Sequence, residues 1–265
     1  AFVLDRSFVS IITTKRSGAK NKYKEKSVKS ASAFSALVRK ECMRLFKNAM
    51  ICINCMLGSF FMIALPILAL VNKETLGMLS SFSQMGLIIP LLIGALGGMN
   101  IITSSSISLE GKGIATLRSY PVSPWAVLLS KLATYGLLTA VPAFVCTVLL
   151  CVMFAVPIWT SVLGVLAMLA LVILFGASGL IINLKLPTFD WTSELVAVKQ
   201  SVSTLTSMFL NIGVSALFIG AYFAFGKDMS VTAFLGICTG VLALADIGAF
   251  VWLKKRGTGI FTKFH

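Results

Sequence analysis

Residues Leu132 to Leu184 read LATYGLLTAVPAFVCTVLLCVMFAVPIWTSVLGVLAMLALVILFGASGLIINL, a tract with no charged residue between Lys131 and Lys185. Crossing the hydrocarbon of a bilayer takes roughly 20 apolar residues, so this tract is too long for one helix and fits two. Pro157 beside Trp159 marks the fold-back, because proline ends a helix and tryptophan favours the headgroup layer. Working outward, further apolar stretches occupy about 49–71, 84–107, 202–225 and 230–253. Together with 132–156 and 159–183 they predict an all-α integral membrane protein of about six transmembrane helices.

Composition agrees. Hydrophobic residues make up 57% of the 265 positions, charged residues 12%, and mean hydropathy is +0.95, a balance that excludes a water-soluble domain with a polar surface. The net charge of +14 does not point to nucleic acid as a partner, because the Lys and Arg residues are confined to segments between apolar runs. Taken loop by loop they divide 21 to 2, with only Lys73 and Lys227 on the minor side. Cytoplasmic loops carry the excess of Lys and Arg, so both termini are expected in the cytoplasm. The basic stretch within 1–30 reads as a cytoplasmic linker ahead of a six-span domain at 31–265, and Ala1–Ile12 as the remnant of a preceding span.

From Ala31 to Lys47 the pattern is helical and amphipathic. At 100° per residue, Phe34, Leu37, Val38, Cys42 and Leu45 share one side, while Arg39, Lys40, Arg44 and Lys47 share the other. An interfacial helix is expected, its apolar side toward acyl chains and its basic side toward anionic headgroups. Glu41 falls inside the apolar side. Either Arg44 or Arg39 neutralises it locally, or it makes a buried contact with another part of the molecule.

Two loops on the basic side carry further signals. In Ser108–Lys131, SLEGKGIATLRSYPVSPWAVLLSK, Ser123 and Pro124 suit the N-cap and first turn of a helix running through Trp125 into the third span. Lys112–Ser119 is long enough for two helical turns, with Ile114 and Leu117 on one face. This segment is either an ordinary anchored loop or a short helix against which a soluble partner pushes. In Asn183–Gln200, NLKLPTFDWTSELVAVKQ, Pro187 ends a helix, Asp190 can cap the next and Trp191 suits the interface. Glu194 and Lys199 are five apart and form no clean helical pair.

Within the spans ionisable groups are nearly absent, apart from Asp246, which has either a structural or a transport role. Gly94, Gly97, Gly176, Gly179, Gly236 and Gly240 favour close helix packing. The cysteines are scattered, and Cys52-x-x-Cys55 has no second cluster to complete a metal site. The one histidine is His265. No catalytic cluster and no nucleotide loop of the G-x-x-x-x-G-K-[ST] kind occurs, so neither enzymatic activity nor a cofactor is expected in this chain.

Three passages resemble the permease subunits of bacterial ABC-2 type ABC transporters, in the branch with two six-span halves. They are Arg39-Lys40-Glu41 with Ile51–Gly58; Glu110-Gly111-Lys112 through Leu117, Tyr120-Pro121-Val122-Ser123 and Lys131-Leu132; and Leu186-Pro187, Asp190-Trp191, Glu194 and Lys199-Gln200. The resemblance implies an exporter in the bacterial cytoplasmic membrane, driven by a separate ATPase subunit that binds ATP and magnesium. A second permease half would complete the pathway. It also implies a connecting helix holding Phe34, Leu37, Arg39, Lys40, Glu41 and Arg44, and an ATPase-coupling loop holding Glu110, Gly111, Lys112, Ile114, Leu117, Arg118, Tyr120 and Pro121. A second cytoplasmic loop would hold Pro187, Asp190, Trp191, Glu194, Lys199 and Gln200. The alternatives are a secondary transporter or channel that runs without ATP, and a non-transporting membrane assembly or immunity factor.

Overall fold

A computed structural model describes residues 32–72, 84–199, 201–226 and 228–264, and all the regular elements among them are helices. The linker at 1–30, the loop with Lys73, and Gln200, Lys227 and His265 lie outside the described residues, as do the side chains of Lys112 and Lys199. Five helical stretches are long and apolar enough to cross a membrane: Met85–Gly111, Pro124–Met153, Ile158–Lys185, Glu194–Gly226 and Val231–Phe261. Ala49–Cys55 and Leu57–Val71 make a sixth if the bent pair counts as one span. The protein is therefore an all-α, multi-pass membrane protein.

In chain order the helices are α1 (Ala33–Lys47), α2 (Ala49–Cys55), α3 (Leu57–Val71), α4 (Met85–Gly98), α5 (Ile102–Ser106) and α6 (Ile114–Ser119). After them come α7 (Pro124–Tyr135), α8 (Val141–Met153), α9 (Ile158–Lys185), α10 (Glu194–Lys199), α11 (Val202–Ala221), α12 (Val231–Trp252) and α13 (Thr258–Phe261). Local chemistry explains several boundaries. Ser123 accepts a hydrogen bond from the Ala126 N–H with Pro124 in the first turn, and Ser201 and Ser230 cap α11 and α12 in the same way. The chain reverses between α8 and α9 through Ala155, whose φ is 49°, and Pro157, which leads directly into Ile158. Among the described residues no hydrogen bond reaches the exposed Asp190 side chain, so the expected cap at the start of α10 is not made by it.

The central helix is α9. It packs against α4, α5, α11 and α12, and it buries Ala167, Met168, Leu171, Val172, Phe175 and Leu180. Gly94 lies against Leu171, Gly97 against Val172, and Gly176 against the Tyr135 ring, so these small residues do set close approach between spans. Gly236 and Gly240 face open space and pack nothing among the described residues.

Two spans are broken, contrary to the continuous helices expected over 49–71 and 84–107. The first bends by 72° between α2 and α3, and the second is interrupted after Gly98. In lipid every freed backbone group needs a protein partner, and the two breaks supply each other. The Cys55 carbonyl accepts from the Ile101 N–H at 3.2 Å. Asn100 Oδ1 accepts from the Ser59 N–H at 3.2 Å, while its Nδ2 donates to Ser59 Oγ at 2.7 Å and Thr139 Oγ1 at 2.9 Å. Tyr135 Oη donates to the Gly97 carbonyl at 2.9 Å and Asn211 Nδ2 to the Gly98 carbonyl at 3.0 Å.

The breaks bring backbones together at Gly58, where an added Cβ would lie 1.9 Å from the Leu96 carbonyl oxygen. Gly58→Ala is expected to destabilise the protein by about 1–3 kcal/mol through overpacking. Gly213→Ala, which faces open space, should not destabilise it. Unfolding of both variants in detergent micelles checks the difference, and equal stability would show that the two backbones are not in contact.

Candidate functional site, a buried ion cluster at one end of the bundle

The segments expected on the cytoplasmic side meet at one end of the bundle. Helix α1 packs on α7, α10 packs on the 3₁₀ turn Ser108–Gly113, and α13 packs on α7. Lys185 lies over the Trp252 ring at 5.1 Å, and the Arg118 guanidinium donates to the Phe264 carbonyl. At this end the sequence places two acids where lipid-facing helices would normally carry none, and the fold surrounds them with cations.

Lys131, on α7, is the centre. Its side chain is 0% exposed, and an ammonium has three protons to place. They go to Glu41 Oε1 at 2.7 Å, Glu110 Oε1 at 2.8 Å and the Ser106 carbonyl at 3.1 Å. Arg44 donates to Glu41 Oε2 at 2.6 Å and lies 3.1 Å from Glu110 Oε1. Lys40, half-exposed at the rim, donates to Glu110 Oε2 at 3.0 Å. Each carboxylate oxygen therefore meets at least one cation, and the cluster ties α1, the 3₁₀ turn and α7 to one another.

Desolvation makes such a cluster costly to assemble and more costly to break, since removing one member leaves a buried charge unmatched. Burial works against the charge on Arg44, but the carboxylates of Glu41 and Glu110 outweigh it. Glu194 adds at longer range, so the guanidinium pKa lies above its ordinary value. Within the cluster, Arg44 Nε is buried without a hydrogen-bond partner among the described residues.

The cluster corrects the expected orientation of α1. Leu37 and Leu45 do not face acyl chains; they are buried in the bundle with Glu41 between them. Only that side offers Glu41 the ammonium of Lys131, and this contact outranks the simple division of the helix into apolar and basic sides. Both readings of Glu41 hold at once, because it pairs with Arg44 on its own helix and with Lys131 on another. The exposed side of α1 carries Met43 and Phe46 beside Arg39 and Lys47, and Phe34 is partly exposed near its start.

Next to the cluster, the residues that the resemblance assigned to a coupling loop divide by face. Ile114 and Leu117 are buried in a core with Leu37, Ile107, Leu128, Leu180 and Phe261, whereas Arg118, Tyr120 and Pro121 are exposed. Gly111, at φ +51°, adopts a conformation that a side chain would strain, and the Trp191 ring lies 2.9 Å from where its Cβ would be. Trp191 Nε1 donates to the Ser108 carbonyl at 2.8 Å, so this tryptophan locks the 3₁₀ turn. Pro187 is partly buried and brings nothing into the cluster.

On the far side of the same turn is a second network that the sequence reading missed. Asn183, fully buried, accepts from the Ile107 and Ser108 N–H groups at 2.7 and 3.2 Å, and donates to Ser108 Oγ at 2.8 Å and Ser203 Oγ at 2.9 Å. Ser203 Oγ in turn donates to the Ser104 carbonyl at 2.9 Å. The signal was available: Asn100, Asn183 and Asn211 are amides inside spans that a reading confined to ionisable groups passes over.

Asp246 sits apart from these networks, and its Oδ1 is buried without a hydrogen-bond partner among the described residues. No group of His, Cys, Asp and Glu suited to a metal ion occurs among the described residues.

Replacing Lys131 by Met should cost about 3–5 kcal/mol, because it breaks two fully buried ion pairs at once and leaves Glu41 and Glu110 to share Arg44 and the half-exposed Lys40. In that background Glu110→Gln should cost less than in the parent, with a coupling of about 0.5–3 kcal/mol. Unfolding of the four proteins in micelles closes the cycle, and additive effects would mean that the two residues do not interact.

A family described as "Membrane protein of 12 TMs" matches residues 1–253. No curated protein and no solved structure matches the chain. The family finding overturns the resemblance to ABC-2 permeases. The fragments that carried the likeness have structural causes of their own: Lys40, Glu41, Glu110 and Lys131 are four of the five members of the ion cluster, with Arg44 the fifth, and Pro121-Val122-Ser123 leads into a capped helix. This chain belongs to the family of membrane proteins with twelve transmembrane segments.

Proposed function

We propose that the chain is the membrane part of a transporter that receives its driving force at the ion-clustered end, from a separate soluble partner. The observation that supports this is the placement of the 3₁₀ turn Ser108–Gly113 between two networks. On one side Glu110 is held by Lys40, Arg44 and Lys131; on the other the turn is joined through Asn183 to α11. A push on α6 is thereby passed to α1 and α7 by charge pairs and to α11 by hydrogen bonds. A chain of buried, directional contacts with few alternatives transmits a displacement better than an apolar interface that can slide.

The division of Lys and Arg, 21 to 2, favours a cytoplasmic position for the ion-clustered end. In this reading the partner carries the nucleotide chemistry, with its ATP and magnesium, and this chain hydrolyses nothing. A second six-span bundle completes the pathway, which accords with the twelve segments in the family's description. A non-transporting assembly factor would use the same end for docking but would need no path through the spans.

The exposed face of α6, which includes Thr116 and Arg118, is the contact surface in this account. Full-length protein purified from its native membranes in mild detergent is expected to carry nucleotide hydrolysis. Thr116→Arg should lower that co-purifying activity about tenfold, as loss of one interface contact worth about 1.4 kcal/mol does, with the thermal midpoint unchanged. Activity unaffected by Thr116→Arg, or no hydrolysis at all, would count against a force-giving partner at this end.

A further inference from the structure

Helix α11 is apolar where it meets lipid and polar where it meets protein. Its buried residues are Ser203, Thr204, Ser207, Asn211 and Ser215, while Leu205, Phe209, Ile212 and Leu217 are exposed. Ser203, Ser207, Asn211 and Ser215 recur every four residues, so the polar strip climbs about 18 Å along the helix. Opposite it are Gly98, Thr103, Ser104 and Gly179. An added Cβ at Gly98 would touch Asn211, and one at Gly179 would touch Thr103, Ser104 and Ser207.

Hydroxyls and amides between spans can serve simply as glue, but glue uses its hydrogen bonds. Here Thr204 Oγ1, Asn211 Oδ1 and Ser215 Oγ are buried and have no partner among the described residues. Asn211 and Ser215 are only 4% and 5% exposed, so lipid-side water does not satisfy them. Unpartnered polar atoms on the packed face of a membrane helix are expensive unless another state supplies them with a ligand. The lower end of the strip, at Ser203, is joined through Asn183 to the turn that carries Glu110, where the proposed force arrives.

We infer that the seam between α11 and α4, α5 and α9 is a closed hydrophilic path that admits uncharged, hydrogen-bonding groups when α11 moves away. The strip offers hydroxyl and carboxamide groups and no ionisable side chain. It therefore suits water and the neutral polar part of a solute, and it offers nothing to neutralise a desolvated ion. This inference rests on the transport reading and gives that reading a location within the spans.

The test is thiol accessibility in the intact membrane-embedded protein. Cys42 and Cys52, the two cysteines not fully buried, are replaced by Ser, and labelling of that chain sets the baseline. Ser207→Cys and Ser215→Cys change a single atom each, so folding is not at issue; Phe209→Cys and Leu217→Cys report the lipid face. With the neutral, hydrophilic 2-hydroxyethyl methanethiosulfonate, Ser207→Cys and Ser215→Cys are expected to label at least several-fold above baseline, and the lipid-face pair no faster than baseline. Adding Glu110→Gln should change the labelling rate of the seam pair.

If the seam pair stays at baseline, or labels no faster than the lipid-face pair, the path is refuted, whatever the partner experiment gives. If the seam pair labels and Glu110→Gln leaves the rate unchanged, the path stands and its link to the force-receiving turn is refuted.

Discussion

Two carboxylates share one ammonium in a place that water does not reach, and the rest of the described structure is arranged around that contact. Glu41 and Glu110 come from elements far apart in sequence, and Lys131 from a third, so none of the three can be buried alone. Satisfying them fixes α1 flat against α7 and holds the turn after the second span at a set height. Arg44 and Lys40 complete the balance from the same helix that supplies Glu41. A buried ion cluster is weak evidence for stability, but its five pairs join three elements, so a shift of Lys131 would break the contacts to both Glu41 and Glu110.

The broken spans follow the same logic one step removed. A helix that stops at Gly98 and restarts at Ile102 leaves carbonyls exposed in a solvent that cannot hydrogen-bond them. Tyr135, Asn211 and the bent first span supply what is missing, and Asn100 serves the N-terminus that the bend creates. Polar side chains inside the membrane are thus recruited to repair the backbone in some places and left unsatisfied in others. Asn211 does both, since its Nδ2 serves the Gly98 carbonyl while its Oδ1 is left without a partner among the described residues.

The spans were legible in the sequence because lipid imposes a single requirement on length and polarity. The turn at Pro157 and the capped start at Ser123 were legible because proline and serine act on their immediate neighbours. Glu41 could be singled out as an acid in an apolar face, but its second partner could not, since Lys131 at the end of a span counts identically as a topology charge whether it points to water or into the bundle. The 72° bend was not legible either. No proline marks Met56, and the break is held by Asn100 and Ile101 from another span. Short loop fragments also misled, because charge pairs and helix caps draw on the same few residue types in unrelated membrane families.

The charge cluster clamps α1 to the turn and α6. Spin labels at two exposed positions, Arg39→Cys on α1 and Thr116→Cys on α6, measure that clamp by electron–electron distance in lipid. The account predicts one narrow distance distribution in the parent and a broad or shifted one after Lys131→Met. An unchanged narrow distribution in the Lys131→Met protein would contradict it.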